Sequence, residues 1–378
     1  MKFVLIPDSF KGTLSSSQIC SILKEEIEKI FPGSDVISIP VADGGEGTVA
    51  AFLEAVGGTP VPVRVKGPFF EDVDCSYGIL KDGCTAVIEM ASCAGLPMVE
   101  GRKNPLKTTT YGVGEQILDA ARRGIKRIIV GLGGSCTNDA ACGLAAALGI
   151  KFYDGAGQEF VPTGGTLSRI ERIDCTKSPL LEGIEIQAMC DITNPMYGPT
   201  GAAFVFAPQK GADAAMVEEL DAGLRHLGAL LDRDTGYPVS TASGAGAAGA
   251  MGAGMLAFLG SKLLPGIQVV LDIVHFDSLI KDADYIFTGE GLLDGQSLCG
   301  KVVSGIAGRA KLQDKPVIAI VGGVKDSEIQ GAYEQGVTSV FTINRLPVPL
   351  AESCTFSAEN LHHTTADILR LIKYLNIK

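Results

Sequence analysis

The sequence predicts a two-domain α/β protein built on parallel sheets, and three observations carry that expectation. At 378 residues the chain exceeds what one hydrophobic core usually organises. Short apolar runs, among them Phe3-Val4-Leu5-Ile6 and residues 127–130 and 317–321, each stop at a loop rich in Gly, Asp, Ser, Thr or Asn. Strand–loop–helix text opens the chain, gives way to hairpin-like text after residue 65 and resumes from residue 268, as if one domain were interrupted by another.

Taken in order, Phe3-Val4-Leu5-Ile6 forms a buried strand that ends in the loop 7–13, PDSFKGT. Ser15 and Gln18 then stand at capping-box spacing, and Ile19, Ile22, Leu23, Ile27 and Ile30 share one helical face. Residues 36–41 form the next strand, which runs through ADGGEGT into a helix ending at Gly57-Gly58. After a strand at 61–65, Gly67-Pro68 and Lys81-Asp82-Gly83 mark hairpin turns, and a domain crossing is expected near 66–67. Residues 85–90 read as a strand leading to Ala91-Ser92-Cys93-Ala94-Gly95, followed by a helix over 114–123. The run 127–130 then opens GLGGSCTNDAACGLAAALG, a glycine loop and a helix that Asn138 or Asp139 would cap and Gly149 would end.

Residues 151–179 suit a small, irregular α+β lobe. The strand 186–190 delivers Asp191, and Asn194-Pro195 forces a turn. An amphipathic helix spans 213–231. From 268 onward β-α-β text returns with Val269-Val270-Leu271, then Tyr285-Ile286-Phe287 into Gly289-Glu290-Gly291, then 317–321 into Gly322-Gly323, then 340–343. The expected architecture is a discontinuous Rossmann- or flavodoxin-like parallel-sheet domain, residues 1–66 and 267–378, with a second α/β (α+β) domain, residues 67–266, inserted.

Composition narrows the function. A 46% hydrophobic chain with 48 glycines and no tryptophan resembles a compact α/β enzyme. A formal net charge of −11 argues against nucleic acid or an anionic membrane as partner. Ten cysteines without a CxxC pair read as buried thiols in a reducing cytosol, so a cytoplasmic protein is expected. The N-terminal apolar run stops at Asp8, too short for a secretory signal, and the apolar stretch 242–260 is mostly Gly and Ala, better suited to a close-packed loop and helix than to a span.

Three motifs invite chemistry. The loop after residue 130 suits an anion, because free N–H groups and missing Cβ atoms let phosphate oxygens approach; the alternative is a tight turn whose glycines serve packing only. Residues 244–249 match GxGxxG, but 239–243 make a poor preceding strand, so close helix approach is preferred over a nicotinamide site and an NAD(P)-dependent hydroxy-acid or hydroxypyruvate oxidoreductase is the rival reading. Residues 295–301 have P-loop spacing, yet Val302 replaces the metal-holding Ser or Thr and 289–294 separate the loop from its strand. Asp43, Glu46, Asp191, Glu290 and Asp294 all lie at or just past predicted strand ends, a pattern that suggests Mg²⁺ with a general base. The four histidines show no metal spacing, and nothing supports a Ser-His-Asp or Cys-His nucleophile.

PDSFKGTLS, VADGGEGT, IEMASCAGL, GLGGSCTNDAACG, CDITNP, APQKGA, GAGAAGAMGAG and TGEGLLDGQS, in this order between residues 7 and 297, resemble the successive signatures of the type I glycerate kinases. With the Rossmann-like tail the resemblance covers essentially the whole chain; Cys136 and Cys142 stand where relatives more often have Ala or Gly. It implies an ATP- and Mg²⁺-dependent kinase that phosphorylates D-glycerate, usually on the 2-hydroxyl to give 2-phosphoglycerate, with two α/β domains and the active site in the cleft between them. Phosphoryl transfer needs positioning, cations and a base. On that basis Asp191, held in a turn fixed by Pro195, is the expected base. Glu290 and Asp294, then Asp43 and Glu46, are the expected Mg²⁺ ligands; Lys11 is the first cation for a phosphate or for the carboxylate of glycerate, and Lys210 the second. Gly133, Gly134, Ser135, Thr137 and Asn138 would cradle one of those anions. A non-catalytic nucleotide-binding sensor would keep the glycine loops without needing the carboxylates.

Overall fold

A computed structural model of the chain describes residues 1–42, 44–295, 297, 300–325 and 327–376. The fold is α/β, with parallel and mixed sheets. It divides into two compact units, Met1–Ala42 with Glu54–Val56 and Pro265–Lys378, and Asp43–Leu53 with Gly57–Leu264.

In the first unit the strands run in the order Ser339–Thr342, Val317–Val321, Tyr285–Thr288, Lys2–Leu5, Asp35–Ser38, and every neighbouring pair is parallel. A parallel sheet needs both faces covered, which is why residues 3–5 and Val317–Val321 read as unbroken apolar runs. The helix Ser16–Ile30 starts at the Ser15–Gln18 capping box and presses Ile19, Leu23 and Ile27 onto Phe3 and Leu5, alongside Leu361, Leu369 and Ile372 of the helix Ser357–Asn376. Val269-Val270-Leu271, expected as a strand, lies instead in the helix Gly266–Ile273. Three apolar residues cannot distinguish a buried helix from a strand, and Pro265 at the N-cap decides for helix.

The second unit holds a six-stranded sheet in the order Lys262–Leu264, Glu185–Met189, Arg127–Gly131, Thr85–Glu89, Asp72–Leu80, Gly58–Lys66. The first four strands are parallel, Asp72–Leu80 runs against them, and Gly58–Lys66 pairs antiparallel with Asp72–Leu80. Gly58–Lys66 pairs along its whole length with Asp72–Leu80, so it belongs to this unit, and the crossing expected near residue 66 lies back at Ala42. The return lies at Leu264–Pro265, against the expected 266–267. A small sheet of Lys151–Tyr153, Glu159–Phe160 and Arg172–Asp174 forms the irregular lobe. The helix Ala214–Thr235 is capped by Asp213, whose carboxylate accepts from Met216 N at 2.9 Å, and ends at left-handed Gly236. Residues 247–259 form a buried helix broken by left-handed Ala248, Gly249 and Ala250, and no helix among the described residues is long and apolar enough to cross a membrane.

Gly289 closes the strand Tyr285–Thr288 with its Cα against the carbonyl oxygen of Ile320, so a Cβ has no room there. Gly289→Ala is expected to cost about 1–3 kcal/mol. Thermal melting checks it, and an unchanged melting temperature would contradict the contact.

Candidate active site

In the second unit, the carboxyl ends of Thr85–Glu89, Arg127–Gly131 and Glu185–Met189 gather the loops 90–95, 132–141 and 190–195, with residues 44–47 beside them. Gly133 N donates to Gly44 O at 2.9 Å, and a Cβ on Gly133 would sit 2.6 Å from Gly45 Cα. Cys136 N donates to Ala94 O at 3.0 Å, and Gly134 O accepts from Leu96 N at 2.8 Å. Gly131 and Gly133 therefore serve backbone packing, and the N–H groups of Gly133 and Cys136 already have carbonyl partners. Gly134 is exposed and left-handed at φ 73°.

The helix expected after this loop starts later than its sequence suggests. It spans Cys142–Ala147, behind left-handed Ala140 and Ala141, with no side-chain hydrogen bond from its N-cap. Asp139 turns inward instead, its Oδ2 accepting from Thr110 N at 2.8 Å, Thr110 Oγ1 at 2.9 Å and Gly143 N at 3.2 Å. Six residues make too short a helix to serve as an anion site, so any cradle must come from the loop ahead of it and its side chains.

Those side chains are present. Lys210 is 2% exposed, and its Nζ donates to Ser135 Oγ at 2.8 Å and to Thr137 O at 2.7 Å. Burial pushes the Lys210 ammonium down to about 8. Ser135, Thr137, Asn138 and Asp139 are buried, and Thr137 Oγ1, both amide atoms of Asn138 and Asp139 Oδ1 have no hydrogen-bond partner among the described residues. Buried polar atoms of this kind normally find partners. Gly249 packs on the Thr137 carbonyl and accepts from Ala140 N at 3.1 Å, while Gly244 and Gly246 abut Cys190 and Pro195. The GxGxxG glycines thus give close approach, and residues 239–241 ahead of them form a 3₁₀ turn, not a strand.

Asp191 is exposed just past Glu185–Met189. Its loop is pinned by Asn194 Nδ2 to Thr200 O at 2.8 Å, Gly246 N to Asn194 O at 2.9 Å and Met196 N to Ser240 O at 2.9 Å. Glu46 is exposed, and Asp43 lies outside the described residues. Glu89 was missed by sequence reasoning although it ends the strand of IEMASCAGL. Its carboxylate accepts from Val49 N at 2.6 Å, and burial raises its pKa.

In the first unit Lys2–Leu5 and Tyr285–Thr288 lie side by side where the strand order reverses. Their loops are bonded together, Asp8 N donating to Gly289 O at 2.8 Å, and Gly322 N donates to Glu290 O at 3.0 Å. This edge brings Glu290, Asp294 and Lys11 together with Asp8, to which sequence reasoning gave no role beyond its place in the loop 7–13. Glu290 is 8% exposed, and its Oε1 has no hydrogen-bond partner among the described residues. Burial pushes its carboxyl up to about 7; Asp8 and Asp294 add to this, and Ser297 and Lys301 oppose it. Asp294 is half-buried, with Lys325 Nζ at 3.8 Å, and Lys11 is exposed. Of the stretch with P-loop spacing, residues 296, 298 and 299 lie outside the described residues, and Lys301 stands at the N-cap of Val302–Lys311. Asp8, Glu290 and Asp294 offer the oxygen donors that Mg²⁺ takes, and one Glu290 oxygen is orphaned among the described residues, but their carboxylate oxygens do not all lie within 4.8 Å of one another, so they fit Mg²⁺ in chemistry without forming a closed set of three ligands. Glu25, Glu26 and His362 also lie close together, but Lys29 holds both glutamates at 2.7 and 2.8 Å and the group is an ion-pair cluster between helices.

The model of the glycerate kinase family matches residues 3–373. The chain belongs to the glycerate kinase family. Over 380 residues it is 43% identical to a glycerate kinase of Bacillus cereus, with 100% of each chain covered. Over 345 residues, 91% of this chain and 90% of the other, it is 43% identical to a glycerate 2-kinase of Escherichia coli. A crystal structure of a candidate glycerate kinase 2 from Salmonella typhimurium LT2 superposes with a TM-score of 0.87 at 38% identity and covers 100% of both chains. Within this glycerate kinase family fold, Glu290, Asp294 and Lys11 sit in the first unit, and Asp191, Glu46, Lys210 and residues 133–138 sit in the second.

The folded Glu290 carboxyl keeps its proton up to about pH 7, whereas an ordinary one loses it near 4.5, so the buried charge lowers stability as pH rises through that window. Without Mg²⁺, Glu290→Gln is expected to be more stable than the parent at pH 8 by on the order of 1–3 kcal/mol. The advantage should vanish below about pH 4.5. Melting curves across pH check this, and a difference that does not vary with pH would contradict the buried charge.

Proposed function

We propose that this chain is a glycerate kinase that transfers the γ-phosphoryl group of ATP, with Mg²⁺, to the 2-hydroxyl of D-glycerate, giving 2-phosphoglycerate and ADP. The observation that carries this reading is full-length identity to glycerate kinases, joined to an E. coli relative named a glycerate 2-kinase. The strand order of the first unit, 2-1-3-4-5 when its strands are numbered along the chain, supports a flavodoxin-like naming, and such sheets bind ligands where that order reverses. Asp8, Lys11, Glu290 and Asp294 follow the two strands at that point.

In this reading Glu290 and Asp294, with Asp8, hold Mg²⁺, and Glu46 and Asp43 are second candidates. When bound, Mg²⁺ neutralises charge on the phosphoryl oxygens. Lys11 supplies an exposed cation for a phosphate or a carboxylate. Gly133, Gly134, Ser135, Thr137 and Asn138, backed by Lys210, hold an anionic group, with the Ser135 hydroxyl and the Asn138 amide as donors. Asp191 accepts the proton of the attacking hydroxyl. Its loop is tied at Asn194 and Met196 to other backbone, which lessens the reordering needed at the moment of reaction.

Incubation with ATP, Mg²⁺ and D-glycerate followed by ³¹P NMR tests the reading. 2-Phosphoglycerate is expected; 3-phosphoglycerate alone would overturn the position of transfer, and no ADP formation would overturn the activity. Asp191→Asn keeps shape and removes charge, and it is expected to lower kcat by about 10²- to 10⁴-fold with an unchanged melting temperature. Rescue by excess Mg²⁺ would instead make Asp191 a metal ligand.

A further inference from the structure

Lys210 is a conspicuous expense in the second unit, an ammonium 2% exposed where an apolar side chain would avoid the desolvation penalty. Its partners are neutral, Ser135 Oγ at 2.8 Å and the Thr137 carbonyl at 2.7 Å. Among the described residues no carboxylate lies within ion-pair distance of it. The titratable groups that face it are Cys136, whose thiol burial pushes up to about 12, and Asp139, whose Oδ2 is taken by Thr110 and Gly143. Lys210 comes from the turn Pro208–Lys210, and Gly211, left-handed at φ 94°, packs against Lys103 without space for a Cβ, so the lysine is fixed from its own side as well.

A hydroxyl that accepts from an ammonium cannot point its own hydrogen at it. The Ser135 O–H must turn elsewhere, and none of the hydrogen bonds found among the described residues has it as the donor. Ser135 follows exposed Gly134 and is itself 8% exposed, so the hydroxyl lies at the boundary between the buried charge and the loop surface. Beside it Thr137 Oγ1 and the Asn138 amide are buried without partners.

We infer that Lys210 acts on the reaction through Ser135, its buried ammonium occupying a lone pair of the hydroxyl and presenting the Ser135 O–H as a polarised donor to an anionic oxygen of a carboxylate or a phosphate. This rests on the reading that residues 133–138 hold an anion. It makes Lys210 a positioning residue and Ser135 the contact, in place of a lysine that reaches the ligand. An arginine could not substitute, because its planar fork does not fit a site that takes one compact charge between a hydroxyl and a carbonyl.

The test measures calorimetric affinity of the full chain for D-glycerate and, separately, for the β,γ-imido analogue of ATP with Mg²⁺. Ser135→Ala is expected to weaken one of the two by about tenfold or more and the other by less than about twofold, as loss of a hydrogen bond to a charged group does. Lys210→Met should weaken the same ligand, and the double variant should be no weaker than the poorer single one, because both act along one path. Which ligand is weakened tells carboxylate from phosphate. Raising the pH through about 8 should weaken the same ligand in the wild type and leave Ser135→Ala flat. The stability contribution of Lys210 moves the other way, since a lysine held below its ordinary value of 10.5 stabilises the fold as its charge is lost above about pH 8. Losses that multiply in the double variant, or Lys210→Met with both affinities intact, would overturn the inference. Should Lys210→Met fail to fold, equal pH dependence in wild type and Ser135→Ala would overturn it just as well. Ser135→Ala with both affinities unchanged would overturn the anion-cradle reading itself, and the inference with it.

Discussion

Backbone lies on backbone at the edges of both sheets, and the loops that carry the chemistry depend on that contact. Gly133 rests on Gly45, Gly249 on the Thr137 carbonyl and Gly289 on the Ile320 carbonyl, each at a separation a Cβ would occupy. Such contacts let one loop's N–H meet the next loop's carbonyl, as Gly133 does with Gly44 and Asp8 with Gly289. The glycine-rich composition is therefore less a sign of flexibility than of loops locked together, with the entropy of ordering them met by burial and hydrogen bonds.

On this frame the two units keep charge in dry surroundings by different means. In the second unit Asp139 has one carboxylate oxygen held by three donors, while among the described residues Lys210 hydrogen-bonds to the neutral Ser135 hydroxyl and Thr137 carbonyl. In the first unit Glu290 keeps one oxygen without a hydrogen-bond partner among the described residues, with Asp8 and Asp294 as charged neighbours, an arrangement that a hard cation relieves. Both are unfavourable for folding in isolation and favourable once the opposite charge arrives, which is the usual signature of a ligand site.

Much of this was legible in the sequence. Buried parallel strands announce themselves as Phe3-Val4-Leu5 and residues 317–321, and Ser15 with Gln18 marks a helix start that the structure keeps. The failures have physical causes. Val269-Val270-Leu271 is too short to show a period, and Pro265 decides its helix. The helix after residue 138 starts late because Asp139 serves Thr110 from another segment, a tertiary bond that no local pattern reveals. Gly58–Lys66 was assigned across the wrong crossing because its partner, Asp72–Leu80, is what places it. Lys210 was read as the second cation for a phosphate or a carboxylate, without a sign that it is buried; its burial follows from Ser135 and Thr137, more than seventy residues away along the chain. Asp8 and Glu89 stood inside quoted motifs without a role, since a carboxylate at a strand end looks alike whether it caps a turn or faces a ligand.

The central proposal is that ligands gather on the loops at the carboxyl ends of the parallel strands in the two main sheets. Hydrogen exchange of the full chain, followed by mass spectrometry with and without D-glycerate and the β,γ-imido analogue of ATP with Mg²⁺, tests it most directly. The account predicts added protection at residues 8–14, 133–139, 190–195 and 289–295, with the hairpin 58–80 and the small sheet around 151–174 unchanged. Protection confined to that hairpin or that small sheet would contradict it.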